Sequence, residues 1–217
     1  MTLAALPRRD EQSREHLDDA ARRARPVVLA GERVLAVPGP LGALLPGGTV
    51  RRGSVVAVDG VPGTGATSVA LQLAAAATAA GEWAAAVELD ASLGGIAARE
   101  AGVVLDRFAV ARRVPPARWS AVVAALLDGI SVVLAEVPAF ARIGDARRLL
   151  ARARERGAVL VAMGPWPAET ALRLRTDDST WRLGCGAGTL TGRDLQVHVD
   201  GRGPAARERA GVLVQAG

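Results

Sequence analysis

The feature that most constrains the fold is a series of continuously apolar strands, each followed by a segment with helical character. The pattern predicts strands at 54–59, 83–89, near 108–111, 131–136 and 158–163. It predicts helices after them at 67–80, 96–102, 118–128, 145–156 and near 167–174. Strands that are apolar on both faces and alternate with helices are typical of a parallel sheet covered by helices on both sides. We therefore expect an α/β fold with a mostly parallel sheet flanked by helices.

The two flanks of this region have a different character. Residues 10–25 carry acids first and arginines last, which predicts a charged helix aligned favourably with its dipole. We expect 1–33 to form an N-terminal helical arm and linker that docks on a partner or on its own sheet, and 34–217 to form the α/β domain. Within that domain the Gly- and Pro-rich stretch 34–53 is expected to be loops and turns, and the chain after 179 to form antiparallel strands.

The turn after the first apolar strand has the spacing of a phosphate-binding loop. Gly60, Gly65 and Thr67 stand in register with the Walker A form G-x-x-x-x-G-K-[ST], Gly63 lies between them, and Ala66 occupies the lysine position. Glycines allow backbone amides to curl toward an anion, and the helix N-terminus adds partial positive charge. The loop keeps this frame but lacks the cation that contacts the β- and γ-phosphates. A tight glycine turn without a ligand is the alternative.

A second feature of nucleotide-binding proteins is an apolar strand that ends in an acid near the Mg²⁺ shell. The stretch Val132–Glu136 has this form, with Glu136 where an aspartate is usual. A strand-end carboxylate that faces solvent is the alternative interpretation.

Lysine is absent from the whole chain, since all 27 of its Lys and Arg residues are arginine. The net charge is +5. Schiff-base chemistry and lysine general-base catalysis are therefore excluded. The single Cys185 excludes an internal disulfide and a cysteine metal cluster, and His16 and His198 are far apart in sequence, so we expect no metal site. No segment approaches a membrane span, so we expect a cytoplasmic protein without membrane contact.

Arginines are concentrated in the predicted helix 145–156, at Arg147, Arg148, Arg152 and Arg156. The last three are spaced four residues apart and share one face of that helix. Such a patch is suited to phosphates or to an acidic partner. A solvated helix face with local carboxylate partners is the alternative.

Taken in order, these segments resemble the core of bacterial RecA-type proteins over roughly residues 30–200. LLPGGTVRRGSVVAVDGVPGTGATSVALQLAAAA (44–77) resembles the RecA strand, phosphate loop and helix. AAAVELDASLGGIAAREAGVVLDRF (84–108) resembles the next RecA segment, in which a strand leads to a catalytic glutamate. Counting back from the Ala-Arg-x-x-Gly-Val helix end at 98–103 puts Asp90 at that glutamate position. SVVLAEVPAF (131–140) matches the Walker B strand.

The departures from the RecA pattern indicate function. Ala66 replaces the loop lysine, Asp90 the water-activating glutamate and Glu136 the Walker B aspartate, and Gly164 stands where RecA has a γ-phosphate-sensing glutamine. The resemblance therefore implies a pseudo-ATPase without catalytic residues or a required cofactor, in which nucleotide binding is weak at most. The gaps that hold DNA-binding loops in RecA are short here, 137–144 and 164–167.

A RecA-like chain of this size with altered ATP motifs resembles the ImuA-type mutagenesis proteins, in particular the actinobacterial ImuA-prime branch. That resemblance implies an accessory role in error-prone translesion DNA synthesis within the DNA-damage response. The implied partners are an ImuB-like inactive Y-family polymerase homologue and, through it, an error-prone DNA polymerase III α subunit. A weak DNA contact and a nucleoid-associated cytoplasmic location would accompany this role. The alternatives are an ATP-binding recombination mediator, in which Arg51 or Arg52 replaces the lysine, and a damage-induced cell-division inhibitor of the SulA type.

Overall fold

The computed structural model describes residues 34–184, 190–201 and 209–216. The predicted arm at 1–33, with its helix at 10–25, lies outside the described residues, as does Cys185.

One eight-stranded sheet forms the centre of the described chain, in the order β10-β9-β8-β3-β7-β6-β4-β5. The strands from β8 to β5 in that order run parallel, whereas β8, β9 and β10 pair antiparallel. The predicted α/β class, the largely parallel sheet and the antiparallel C-terminal strands are thereby confirmed. The bounds of the eight strands are β3 Ser54–Gly60, β4 Ala84–Val87, β5 Phe108–Ala111, β6 Val132–Glu136, β7 Val159–Met163, β8 Leu172–Leu183, β9 Leu190–Gly201 and β10 Arg209–Ala216.

Helices cover both faces of this sheet. Alternate residues of β3 point to opposite sides, so Val56 and Val58 join one apolar core while Val55 and Ala57 join the other. The first core is closed by α1 (Gly39–Leu44), α2 (Ala66–Ala79) and α3 (Gly95–Glu100), and the second by α4 (Trp119–Leu127) and α5 (Ile143–Arg156). Strands buried on both faces explain the continuous apolar runs in the sequence.

Residues 34–53 correct one prediction, because this Gly- and Pro-rich stretch contains more than loops and turns. The strands β1 (Val34–Ala36) and β2 (Thr49–Arg51) pair antiparallel, with α1 and a 3₁₀ turn at Pro46–Gly48 between them. The physical reason is burial: Leu35, Leu41 and Leu45 pack into the first core. Apolar residues spaced along the stretch outweigh its turn-forming composition.

The helix predicted near 167–174 is also wrong, because β8 begins at Leu172 and pairs parallel with β3. Leu172 and Leu174 are buried while Arg173 and Arg175 lie on the other face of the strand. This period of two is the strand pattern. The other helices and strands predicted within the described residues occur within a few residues of their expected bounds. Within the described part of the chain, no helix has the length and apolar character required to span a bilayer.

Candidate functional site

The parallel strands place their carboxyl ends along one edge of the sheet, where ligands of open α/β sheets usually bind. We call this edge the carboxyl-end surface and define it by the segments at the carboxyl ends of the strands β3, β4, β5, β6 and β7: residues 60–65, 88–96, 112–118, 136–143 and 164–167. It brings together the Gly-rich turn, Asp90, Glu136 and Gly164. The sequence-predicted nucleotide-binding remnant is thus a set of neighbouring segments in the fold.

The Gly-rich turn connects β3 directly to α2. Gly63 and Gly65 have φ values of 90° and 93°, which side-chain-bearing residues rarely adopt. Ala66 is the first residue of α2 and packs against the first core, whereas Thr67 is exposed. The connection is therefore a strand–turn–helix, as the prediction of a phosphate-binding loop requires, with a methyl group at the position predicted for the lysine.

The C-terminal strands pack directly on this turn. The carbonyl oxygen of Gly63 accepts a hydrogen bond from Ser179 Oγ (3.3 Å) and another from the Arg193 guanidinium. Inside the turn, Thr64 Oγ1 shares a 2.8 Å hydrogen bond with Thr176 Oγ1, and Thr176 is buried. The turn is thus held by side chains of β8 and β9 in the described structure.

Two glycines of the turn permit this close approach. A Cβ atom on Gly60 would overlap Thr176 Oγ1 and lie 2.7 Å from Thr64 Oγ1. A Cβ atom on Gly65 would lie 2.5 Å from Leu195 Cδ2 of β9. Glycine at both positions therefore permits the close contact with the C-terminal strands, and the φ of 93° favours glycine at 65 independently of that contact.

Arg193 and Trp181 form a second layer over the turn. The Arg193 guanidinium carbon lies 4.8 Å from the centroid of the Trp181 ring, within range of a cation–π interaction. The guanidinium also donates to Ser179 Oγ at 2.6 Å. Both residues line a groove of about 580 Å³ along α2, beside the turn and on its Ser68 and Gln72 side.

Glu136 ends β6, and Asp90 lies in the segment after β4. One strand, β7, separates β3 from β6, so Glu136 belongs to a strand whose axis is about 10 Å from that of β3. Its carboxylate accepts hydrogen bonds from the Leu89 amide (2.6 Å) and from Ser92 Oγ (3.4 Å). Asp90 is exposed and accepts from the Ser92 amide at 3.1 Å. The two acids share Ser92 as a hydrogen-bond partner, and Glu136 is turned toward the segment after β4.

Sequence reasoning missed Glu88, the most deeply buried acid of this surface at 2 % exposure. Its carboxylate accepts from the Leu93 amide and lies 3.5 Å from Arg112 Nε. Arg112 in turn donates to the Leu93 carbonyl at 3.1 Å. We call Glu88, Leu93 and Arg112 the Glu88 clasp, because they join the segments after β4 and β5. The available signal was an acid at the end of an apolar strand. Two acids, Glu88 and Asp90, follow that strand, and the alignment with the RecA pattern pointed to Asp90.

The helical arginines lie apart from the turn, on α5. Arg152 binds the Asp128 carboxylate through two hydrogen bonds of 2.6 Å, and Arg156 adds a third at 3.1 Å. The Arg152 hydrogen bond lowers the pKa of Asp128, and the Arg156 charge acts in the same direction. Arg148 pairs with Asp145, while Arg147 is exposed. Local carboxylates thus engage three of the four arginines, and an interaction patch on α5 stays a prediction.

Arg51 and Arg52, the candidate substitutes for the lysine, lie at the opposite edge of the sheet. They precede β3, whereas the Gly-rich turn follows it, and a seven-residue strand spans about 20 Å. Arg52 donates two hydrogen bonds to Glu82, at 3.0 and 2.6 Å. Burial alone would raise the pKa of Glu82, but the hydrogen bonds from Arg52 and Ser131 lower it below its ordinary value. Arg52 therefore serves a structural ion pair away from the turn.

No group of three or more His, Cys, Asp or Glu residues within the described ranges is arranged to hold a metal ion. The fold defines an α/β protein with a mixed, largely parallel sheet in which a Gly-rich turn joins β3 to α2. Residues 43–168 match the family model described as the MT3502 N-terminal domain, which covers more than half of the sequence, and the chain belongs to that family. No curated protein matches the chain. The matched region includes the Gly-rich turn, Asp90 and Glu136 but ends before Ser179 and Arg193.

Proposed function

We propose that this chain is a non-catalytic, RecA-like accessory protein of an error-prone translesion DNA synthesis complex, acting through protein–protein contacts. The observation that carries the proposal is the state of the Gly-rich turn. Ala66 stands at the lysine position, and Ser179 of β8 and Arg193 of β9 donate hydrogen bonds to the Gly63 carbonyl. Phosphoryl transfer depends on positioned cations at the phosphates, which this turn does not itself supply.

Strand order supports the RecA-like part of the proposal. The segments that resemble RecA, 44–77, 84–108 and 131–140, supply β3, β4 and β6 of one parallel array. Their functional positions therefore lie at one edge, as the resemblance requires. The name of the matched family states no activity, so the role in translesion synthesis depends on the resemblance to ImuA-type proteins.

A capture experiment tests the role in the complex. The full chain, tagged and expressed in damaged and undamaged cells of its source, should co-purify the ImuB-like polymerase homologue after damage. Recovery of only unrelated proteins from both cultures would contradict the proposal.

A nucleotide titration tests the non-catalytic part. A ligand that binds the folded state raises the thermal midpoint. We therefore expect the midpoint to stay unchanged in millimolar ATP with Mg²⁺, and we expect no release of phosphate. Thr67→Ala is the matched variant, since Thr67 is exposed and its loss should not alter folding. A rise in midpoint with ATP that disappears in Thr67→Ala would show that the turn binds nucleotide, and phosphate release that disappears in the same variant would refute this part.

A further inference from the structure

The carboxyl-end surface presents an unusual set of apolar side chains. Phe140, in the turn after β6, is 95 % exposed, the highest value among the described large apolar residues. Val61 after β3, Ile96 at the start of α3 and Ile143 at the start of α5 are each at least half exposed. Aromatic and aliphatic side chains exposed at one end of a sheet are typical of protein interaction sites.

The charges around these side chains are mainly positive. Arg113, Arg118 and Arg142 are exposed in the segments after β5 and β6, and none has a carboxylate within 4 Å among the described residues. Two acids of the same surface are engaged by internal contacts. Glu88 is buried in its clasp, and Glu136 accepts a hydrogen bond from the Leu89 amide. Asp90 is the exposed acid among these segments.

Backbone hydrogen bonds join two segments of this surface, those after β4 and β5. Ala91 and Arg113 have φ values of 65° and 53°, and they are the two described non-glycine residues with positive φ. Hydrogen bonds of 2.9 Å join Glu88 to Ala111 and to Val114 on either side of Arg113. Unfavourable backbone conformations occur where surrounding structure imposes them, often at binding sites. A fixed surface also loses less conformational freedom when a partner binds.

We propose that the carboxyl-end surface docks an acidic segment of a partner protein, a step that rests on the proposed scaffold function. An apolar side chain of that segment packs on Phe140, and its carboxylates pair with Arg113, Arg118 and Arg142. Arginine suits this role because its planar donors match a carboxylate. The other exposed apolar side chains of this surface are aliphatic, which favours a protein over a nucleic acid, since single-stranded nucleic acids are held by several aromatic rings that stack on bases.

The test measures binding of a short fluorescein-labelled peptide in which Glu and Asp residues flank a Leu-Phe pair, by anisotropy with the full chain. Phe140→Ala should weaken binding about tenfold, and Arg113→Ala should weaken it and reduce its dependence on salt. Leu183→Ala and Arg51→Ala, which alter an exposed apolar residue and an exposed arginine at the opposite edge of the sheet, should leave binding unchanged. Each substitution is at an exposed position, so folding should be unaffected.

Several outcomes would overturn the docking proposal. These are no peptide binding, equal binding by Phe140→Ala and wild type, or tighter binding of a single-stranded oligonucleotide that depends on the same residues. The capture experiment, repeated with Phe140→Ala, separates this proposal from the proposed function. Capture of the ImuB-like protein by both forms would reject this surface alone. Peptide binding as expected, without capture by the wild type, would reject the translesion role alone.

Discussion

Replacement of Glu88 should destabilise the chain far more than replacement of its exposed neighbour Asp90. Glu88 is 2 % exposed and accepts the amide proton of Leu93, which is itself buried. Glu88→Ala leaves that donor without a partner, which costs about 1–3 kcal/mol, and creates a small void. Arg112 is 54 % exposed, so water still solvates its charge when the carboxylate is removed. We therefore expect a total loss of about 2–3 kcal/mol.

Glu88→Gln separates the hydrogen bond from the charge. The glutamine carbonyl can still accept from Leu93, so we expect a loss of about 1 kcal/mol, attributable to the contact with Arg112. Asp90→Ala, the matched control, removes a short-range hydrogen bond at an exposed position and should change stability by less than about 0.5 kcal/mol.

Urea unfolding followed by tryptophan fluorescence measures these losses, since Trp119 and Trp166 are buried in the second core. Hydrogen exchange supplies a local readout: the Leu93 amide should lose protection in Glu88→Ala and keep it in Glu88→Gln. The reasoning would be refuted if Glu88→Ala were as stable as Asp90→Ala, or if the Leu93 amide kept its protection without the carboxylate.

Two further predictions concern contacts away from the clasp. Gly60→Ala should cost about 2–3 kcal/mol by overlap with Thr176, and Thr176→Ala in the same chain should recover at least about 1 kcal/mol; additive losses in urea unfolding would contradict the contact. Glu82→Gln should cost about 1 kcal/mol at pH 7 by removing the Arg52 pair. Because the pKa of Glu82 is lowered in the folded chain, the stabilisation by the pair is present above the ordinary value of 4.5 and is lost as pH falls through the folded value. The difference between wild type and Glu82→Gln should therefore shrink on acidification to about pH 3, and a difference independent of pH would argue against the pair.

The parallel part of the sheet could be predicted because its signal is local. Strands such as Val132–Glu136 are buried on both faces and therefore apolar without interruption, and the helices between them have their own period. The errors arose where the local signals conflicted. At 34–53 the glycines and prolines favoured a prediction of loops, although the leucines of this stretch are buried. At 172–176 buried and less buried residues alternate with a period of two, but the alanines and threonine that precede this short strand favoured a helix.

The site could be predicted only where its residues follow one another in sequence. The Gly-rich turn was recognised from the spacing of Gly60, Gly65 and Thr67, but the contacts of Ser179 and Arg193 with Gly63 join residues more than 100 positions apart. Strands β8 and β9 supply these contacts through a parallel pairing of β8 with β3, and no spacing pattern encodes that pairing. The same reason hid the Glu88 clasp, in which the role of the acid depends on Arg112 from another strand.

The packing of the C-terminal strands changes how the retained glycines should be interpreted. In a nucleotide-binding loop, glycines at 60 and 65 would indicate close approach of phosphates. Here the same two positions admit Thr176 and Leu195, and a methyl group on either glycine would overlap protein atoms. The spacing of a phosphate-binding loop can thus persist in this chain through its internal contacts alone. Position 66 has no such constraint, since Ala66 is only half-buried at the start of α2. Packing alone therefore accounts for the two glycines, and the prediction that this turn has lost its nucleotide chemistry depends on the residue at 66.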